Sequence, residues 1–304
     1  MISTEFEYAR PKTLREAVRL LGRHGKSARI LAGGTDLIGW LRDDLVKPDI
    51  LIDIKGIGSL GKLSFRQNML RIGAGVTITE LTESRAVRTH FPLFVEMAGM
   101  LACTGIRNRA TVVGNICSAV PCCDNGPVLM VYEAVLQVTG QEGDREIPMS
   151  EWFKGPRQTA LRPGEIVTGV TVPKPAGRHA ACFAKLKRYR GEDLAQASVA
   201  VLRSDSICRV AFGSVAPTPV RAPNIERILT SRMPPEAALE AAIDAIPKET
   251  SPITDLRSSK EYRGRMLGVM LERAVKTVAS RLEGSGPAYG VNVLDDYTAD
   301  AEGK

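Results

Sequence analysis

With 304 residues, 44% apolar and 5% aromatic side chains, the chain reads as a globular protein with an aliphatic core, large enough for two domains or one domain with an appendage. Forty-one Lys and Arg against 34 Asp and Glu leave a net charge of +7. The charge is scattered without the basic blocks of a nucleic-acid footprint, and it suits an anionic cofactor or an acidic partner equally. No apolar run approaches the ~18 residues of a membrane span, and the N-terminus lacks the basic and apolar regions of a signal peptide, so the cytoplasm is the expected compartment.

Thr13-Leu14-Arg15-Glu16 reads as a capping box, and apolar Leu14, Ala17, Val18 and Leu21 predict a helix of about three turns ending near His24-Gly25. The apolar run Ile30-Leu31 then breaks into Ala32-Gly33-Gly34-Thr35-Asp36-Leu37. Two glycines reach positive φ and admit a ligand without a Cβ in the way. Successive amides in such a turn form an anion nest, and Asp36 is placed to cap a short helix over 37–41 whose dipole favours phosphate. The same pattern also serves as a plain structural turn. Ile50-Leu51-Ile52-Asp53-Ile54 is a buried strand, and strand, helix and strand at this spacing imply a small parallel β-α-β unit.

From about residue 60 the pattern changes. Residues 62–65 and 69–75 flank Gln67-Asn68 as a hairpin, Thr77 starts a capped helix, and residues 92–101 form an apolar helix in which Met97 and Met100 are core. Residues 105–124 are dense in small and polar side chains without clear periodicity, which inside a compact domain marks a functional segment. Arg107 and Arg109 there read as solvated charges or site residues, and Asp124 as an N-cap that is free to meet a ligand as well. A buried helix over 127–134, a strand over 135–139 and an alternating strand over 164–173 follow. After a linker at 174–178 come three strands (180–190, 198–203, 207–215) and three helices (225–231, 235–246, 259–282), an antiparallel sheet with helices on one face.

Cys103, Cys117, Cys122, Cys123, Cys182 and Cys208 include no C-x-x-C pair, and vicinal Cys122-Cys123 do not share a tetrahedral metal without strain. Neither disulfides nor a metal site is expected.

The Ala-Gly-Gly-Thr-Asp-Leu turn at 32–37 and Thr-Val-Val-Gly-Asn-Ile at 111–116 together resemble the paired FAD motifs of the molybdenum hydroxylases, in their FAD-binding medium subunit as found in carbon monoxide and xanthine dehydrogenases. Gly73-Ala74-Gly75-Val76-Thr77, Ser118-Ala119-Val120-Pro121 with Asp124, and Ser258-Ser259-Lys260-Glu261-Tyr262-Arg263 extend the likeness over about 1–285. The resemblance implies an α+β fold: a two-subdomain FAD-binding domain of the vanillyl-alcohol oxidase (PCMH) type, not Rossmann, plus a C-terminal three-stranded antiparallel sheet with helices. The divisions expected are 1–176 (subdomains 1–56 and 57–176), 177–285 and a loose arm over 286–304.

It also implies roles. Arg29, Ile30, Leu31, Ala32, Gly33, Gly34, Thr35, Asp36 and Leu37 wrap the FAD diphosphate from one side, with Thr111, Gly114, Asn115 and Ser118 on the other. Asp124 accepts from the adenosine ribose, beside Cys123; Leu101, Ala102, Ile166 and Val167 pack against the flavin or its linker. Lys185 matches a lysine beside the flavin ring, where a cation stabilises negative charge on the reduced form; the alternative for it is a surface strand lysine. The implied partners are a large molybdenum-cofactor subunit and a small [2Fe-2S] subunit, in a dimer of heterotrimers, with NAD or a quinone as acceptor. Val113 departs from the family, standing where a second glycine is usual, and strains the turn if that position needs positive φ. Cys122 and Cys123 depart too, and an insertion that carries a four-iron cluster in one relative is missing. No general-base dyad or nucleophile constellation is evident, which fits a relay subunit. A free-standing FAD oxidase or reductase of the same fold, and a nucleotide-binding or assembly protein without turnover, are the alternatives.

Overall fold

The computed structural model describes residues 5–189, 191–205 and 207–295. It opens with a three-stranded parallel sheet in the order β1-β3-β2: β1 (Glu7–Ala9), β2 (Ala28–Leu31) and β3 (Ile50–Asp53). Between the first two runs α1 (Leu14–His24), whose Thr13 hydroxyl accepts from Glu16 N. The Glu16 carboxylate reaches back to Lys12 N rather than Thr13 N, so the capping box is only half made. α2 (Leu37–Arg42) crosses from β2 to β3 and buries Leu37 and Leu41 against Leu51. β1 is not marked in the sequence because three residues are too short to show a period.

The second body is a five-stranded antiparallel sheet in the order β4-β5-β10-β6-β7: β4 (Leu63–Arg66), β5 (Met69–Gly73), β6 (Val135–Gly140), β7 (Gly143–Pro148) and the central β10 (Ile166–Pro173). Gln67 and Asn68, at φ 51° and 59°, make the two-residue turn that the hairpin requires. Helices α3 (Ile78–Glu83), α4 (Arg85–His90), α5 (Pro92–Gly99), α6 (Thr104–Arg107), α7 (Val112–Ser118), α8 (Asn125–Val131) and α9 (Met149–Trp152) pack with it. In this core Phe94 stacks on Tyr132 and Phe91 meets the same ring edge-on, and Trp152 donates its indole N–H to Ile116 O at 2.9 Å. A small ribbon, β8 (Phe153–Gly155) with β9 (Gln158–Thr159), follows.

The third body is an antiparallel sheet of four strands, one more than expected: β11 (His179–Leu186), β12 (Ala197–Ser204), β13 (Cys208–Gly213) and the two-residue β14 (Val220–Arg221). α10 (Pro223–Leu229), α11 (Pro235–Glu249) and α12 (Lys260–Glu283) share a core with it. The serine-tyrosine-arginine signature is structural here. Ser259 caps α12, and buried Arg263 donates to Gln196 O, Ser214 O and the Asp255 carboxylate.

The expected arm is not loose over 286–295. Tyr289 accepts from Ala181 N at 3.0 Å, and the Asn292 amide pairs with both backbone groups of Lys185, closing the free edge of β11. Residues 296–304 lie outside the described residues. Glu96 of α5, fully buried, takes the Arg281 guanidinium and Phe183 N, tying the second body to the third. Among the described residues no helix is long and apolar enough to cross a membrane.

Candidate functional site

A cavity of about 1090 Å³ lies where the three bodies meet. Its first wall is the turn after β2. Gly34 is at φ 78°, and a Cβ on Gly33 would stand 2.0 Å from the carbonyl oxygen of Arg109, so glycine is needed for two backbones to touch. Lys55 Nζ donates to Ala32 O at 3.2 Å and pairs with Asp53 at 2.8 Å, which also accepts from Tyr8. Burial alone would raise the Asp53 carboxyl, but the hydrogen bonds from Lys55 and Tyr8 hold it below the ordinary range. The first bond of α2 runs from Ile38 N to Gly34 O, leaving the amides of Thr35, Asp36 and Leu37 without a helical acceptor. Asp36 does not cap the helix as expected: its backbone is already helical, and its carboxylate accepts from Ser118 Oγ at 2.5 Å, a bond across the cavity mouth. Arg29 also lines the cavity, but its guanidinium turns back to Lys26 O and Ala28 O.

Ser118 belongs to the second wall. The segment 105–124, expected to be irregular, contains α6 and α7, two helices too short to show a period. Thr111 caps α7 by accepting from Gly114 N at 2.9 Å, and a Cβ on Gly114 would come within 2.8 Å of that hydroxyl. Val113 sits inside the first turn of this helix and is absent from the positive-φ residues, so the valine brings no strain. Asn115 accepts from the side chain and backbone of Asn125, which gives it a structural task. Arg107 is not a solvated charge: it donates to Leu101 O at 2.9 Å and Ala102 O at 2.6 Å.

At the floor lie Asp124 and Lys185. Asp124 makes no side-chain capping bond to α8. It pairs with Lys185 Nζ at 2.7 Å, and the same ammonium donates to Met100 O at 3.0 Å. Lys185, 2% exposed, is therefore a buried site cation and not a surface lysine. The second Asp124 oxygen is buried without a partner. Burial pushes this carboxyl above the ordinary range, against the pull of Lys185.

Ile30, Ala32, Leu37, Leu101, Ala102, Ile166 and Val167 supply apolar or backbone surface to the cavity. Two expected residues fall outside it. Leu31 packs on Leu37, Leu41 and Leu51, and Cys123 is buried while its neighbour Cys122 lines the cavity. Sequence reasoning missed Trp40, Arg157, Arg188, Asp193 and Arg257, all cavity residues. Arg157 stands 5.2 Å over the Trp40 ring. Burial favours a protonated Asp193, but hydrogen bonds from Arg188, Arg257 and Leu194 N win and lower its carboxyl to about 2. For Trp40 the available signal was the chain's scarcity of tryptophan (two residues), with one six residues past the paired glycines.

The cavity fits an extended dinucleotide. It exceeds the roughly 300–1,000 Å³ of common small-molecule pockets, one wall is a glycine turn with free amides, and a carboxylate with an unused oxygen lies at its floor. Among the described residues no group of three His, Cys, Asp or Glu could share a metal ion.

Comparison with known proteins agrees. Residues 4–175 match the FAD binding domain in molybdopterin dehydrogenase, and residues 181–278 match the CO dehydrogenase flavoprotein C-terminal domain. The carbon monoxide dehydrogenase medium chain of Afipia carboxidovorans is 33% identical over 285 residues, covering 92% of this chain and 99% of that one. A putative xanthine dehydrogenase FAD-binding subunit of Escherichia coli is 29% identical over 284 residues, covering 91% of this chain and 97% of that one. Among solved structures, one chain of Cu,Mo-CO dehydrogenase superposes with a TM-score of 0.87 at 33% identity, covering 92% of this chain and all of that one.

Proposed function

This chain belongs to the FAD-binding medium subunits of the molybdenum hydroxylases, and from that premise we propose that it is an electron relay. It would take electrons from the two-iron clusters of a small partner subunit, served by a large molybdenum subunit, and pass them through FAD to NAD or a quinone. Residues 1–176 form the FAD-binding domain and 177–285 the C-terminal domain in this reading. Bound FAD supplies the electron-carrying chemistry, and the protein supplies binding, orientation and electrostatics.

The observation that carries the reading is the closure of two glycine-bearing walls around one cavity, joined by Gly33 against Arg109 and by Asp36 with Ser118. Gly33, Gly34 and the free amides of Thr35 to Leu37 would hold the diphosphate, with Thr111, Gly114 and Ser118 opposite. The unused oxygen of Asp124 would accept from a ribose hydroxyl. Leu101, Ala102, Ile166 and Val167 would exclude water from the ring. Lys185, held by Asp124 and Met100 O, would keep a positive charge at its place in the wall. Co-expression with the neighbouring genes tests the proposal. A flavin spectrum in a complex with molybdenum and iron–sulfur subunits is expected; an isolated monomer that oxidises substrate by itself would refute it.

A further inference from the structure

β11 is an outer strand of its sheet: β12 lies along one side, and among the described residues no strand lies along the other. The amides of Ala181, Phe183 and Lys185 face that open side, and each is taken by a side chain. Tyr289 Oη accepts from the first at 3.0 Å, Glu96 from the second at 2.7 Å and Asn292 Oδ1 from the third at 3.3 Å. Asn292 Nδ2 also donates to Lys185 O at 3.0 Å, so one side-chain amide meets Lys185 as the peptide groups of a neighbouring strand would. Asn292 is 5% exposed and its neighbours hold it there: Val293 is buried, and Leu294 packs on the core of the third body. This segment lies past residue 278, where the family match ends.

Lys185 is the penultimate residue of β11, where an outer strand frays unless it is tied down. Its ammonium rides on a flexible four-carbon stem, yet it meets Asp124 at 2.7 Å and Met100 O at 3.0 Å. Asn292 fixes both backbone groups from which that stem starts. Asp124 depends on the ammonium in turn. Its carboxyl is buried with one oxygen unpartnered; burial favours the protonated form, and Lys185 leads the groups that oppose it, ahead of Lys187. A displaced ammonium leaves at the cavity floor a carboxyl that takes up a proton, in place of an accepting carboxylate. No residue of 286–295 lines the cavity, so Asn292 reaches it only through Lys185.

We propose that Asn292 is a positioning residue: by holding the backbone of Lys185 it keeps the ammonium on Asp124, and so a residue of the C-terminal arm supports FAD binding from outside the cavity. The inference rests on the reading that this cavity takes FAD. Its test is a double-mutant cycle on the full chain, with wild type, Asn292→Ala, Lys185→Met and the two substitutions combined, and with Tyr289→Phe as the arm control. FAD affinity of each apoprotein is read by flavin fluorescence, well below a melting temperature measured for each.

Asn292→Ala and Lys185→Met are each expected to bind FAD about tenfold more weakly, the equivalent of one net hydrogen bond at Asp124. The combined variant should lose no more than Lys185→Met alone, because Asn292 acts through that lysine; independent effects would multiply to about a hundredfold. Tyr289→Phe opens the strand edge at Ala181 only and should keep wild-type affinity. Unchanged affinity in Asn292→Ala, multiplied losses in the combined variant, or an equal loss in Tyr289→Phe would each overturn the proposal. If the combined variant does not fold, the comparison of Asn292→Ala with Tyr289→Phe decides alone. Wild-type protein that takes up no FAD would overturn the cofactor reading itself, and the proposal with it.

Discussion

Gly33→Ala is the smallest change that opens the cavity walls. The added Cβ would stand 2.0 Å from the Arg109 carbonyl oxygen, 2.7 Å from its carbon and 3.0 Å from Ala110 Cα, all backbone atoms that no rotamer moves aside. Ordinary contact begins near 3.4 Å, so the turn and the segment before α7 must separate by about 1.4 Å. Overpacking of this kind costs about 1–3 kcal/mol of stability. The displacement also moves the amides of one wall away from the other, and binding geometry is lost over distances of this size. FAD affinity should fall by more than tenfold, measured by fluorescence titration, while circular dichroism keeps the folded signature. Gly39, where an added methyl would meet only open space, gives the control: Gly39→Ala should retain flavin. Wild-type affinity in Gly33→Ala would refute the argument that backbone contact between the walls builds the site.

Three further expectations follow from the charges and thiols. Glu96→Leu leaves the Arg281 guanidinium in a buried setting without its partner, and about 3–5 kcal/mol of stability should be lost in denaturant unfolding; a change under ~0.5 kcal/mol would contradict the tie between the second and third bodies. Asp193, with its native carboxyl at about 2, contributes stability that is fully present above its unfolded value near 3.8 and is lost as pH falls toward 2. The contribution is of order 2 kcal/mol, and Asp193→Asn should flatten that acid limb of the stability curve. Burial raises the Cys208 thiol to about 12 and also raises Cys123 and Cys182, whereas Cys103 is exposed. A thiol reagent should therefore modify Cys103 first, and Cys103→Ser should remove the fastest phase.

What the sequence made legible was chemistry carried by local pattern. Gly33-Gly34, the Gln67-Asn68 turn and the Thr77 cap each need particular residues for a local backbone reason, and each is found where expected. Tertiary roles were invisible. Arg107 and Lys185 were site candidates with a surface cation as the alternative for each, and only the fold brings them onto three adjacent carbonyls. Asp36 and Asp124 had the composition of helix caps, but each found a better partner, Ser118 and Lys185, 82 and 61 residues away. Val113 was expected to trouble the turn because the glycine pattern was read without knowing that a helix begins at Val112. The ordering of 286–295 comes from Asn292 and Tyr289 meeting the edge of β11, a contact that no local periodicity announces.

The central claim is that one cavity, closed by two glycine-bearing walls, holds the FAD of a relay subunit. Reduction of the flavin in the purified complex, followed by its absorbance when the molybdenum subunit turns over substrate, tests it most directly. Bleaching of stoichiometric FAD, lost in Gly33→Ala while the partners remain assembled, is the predicted result. Full reduction of an acceptor by a complex whose medium subunit carries no flavin would contradict it.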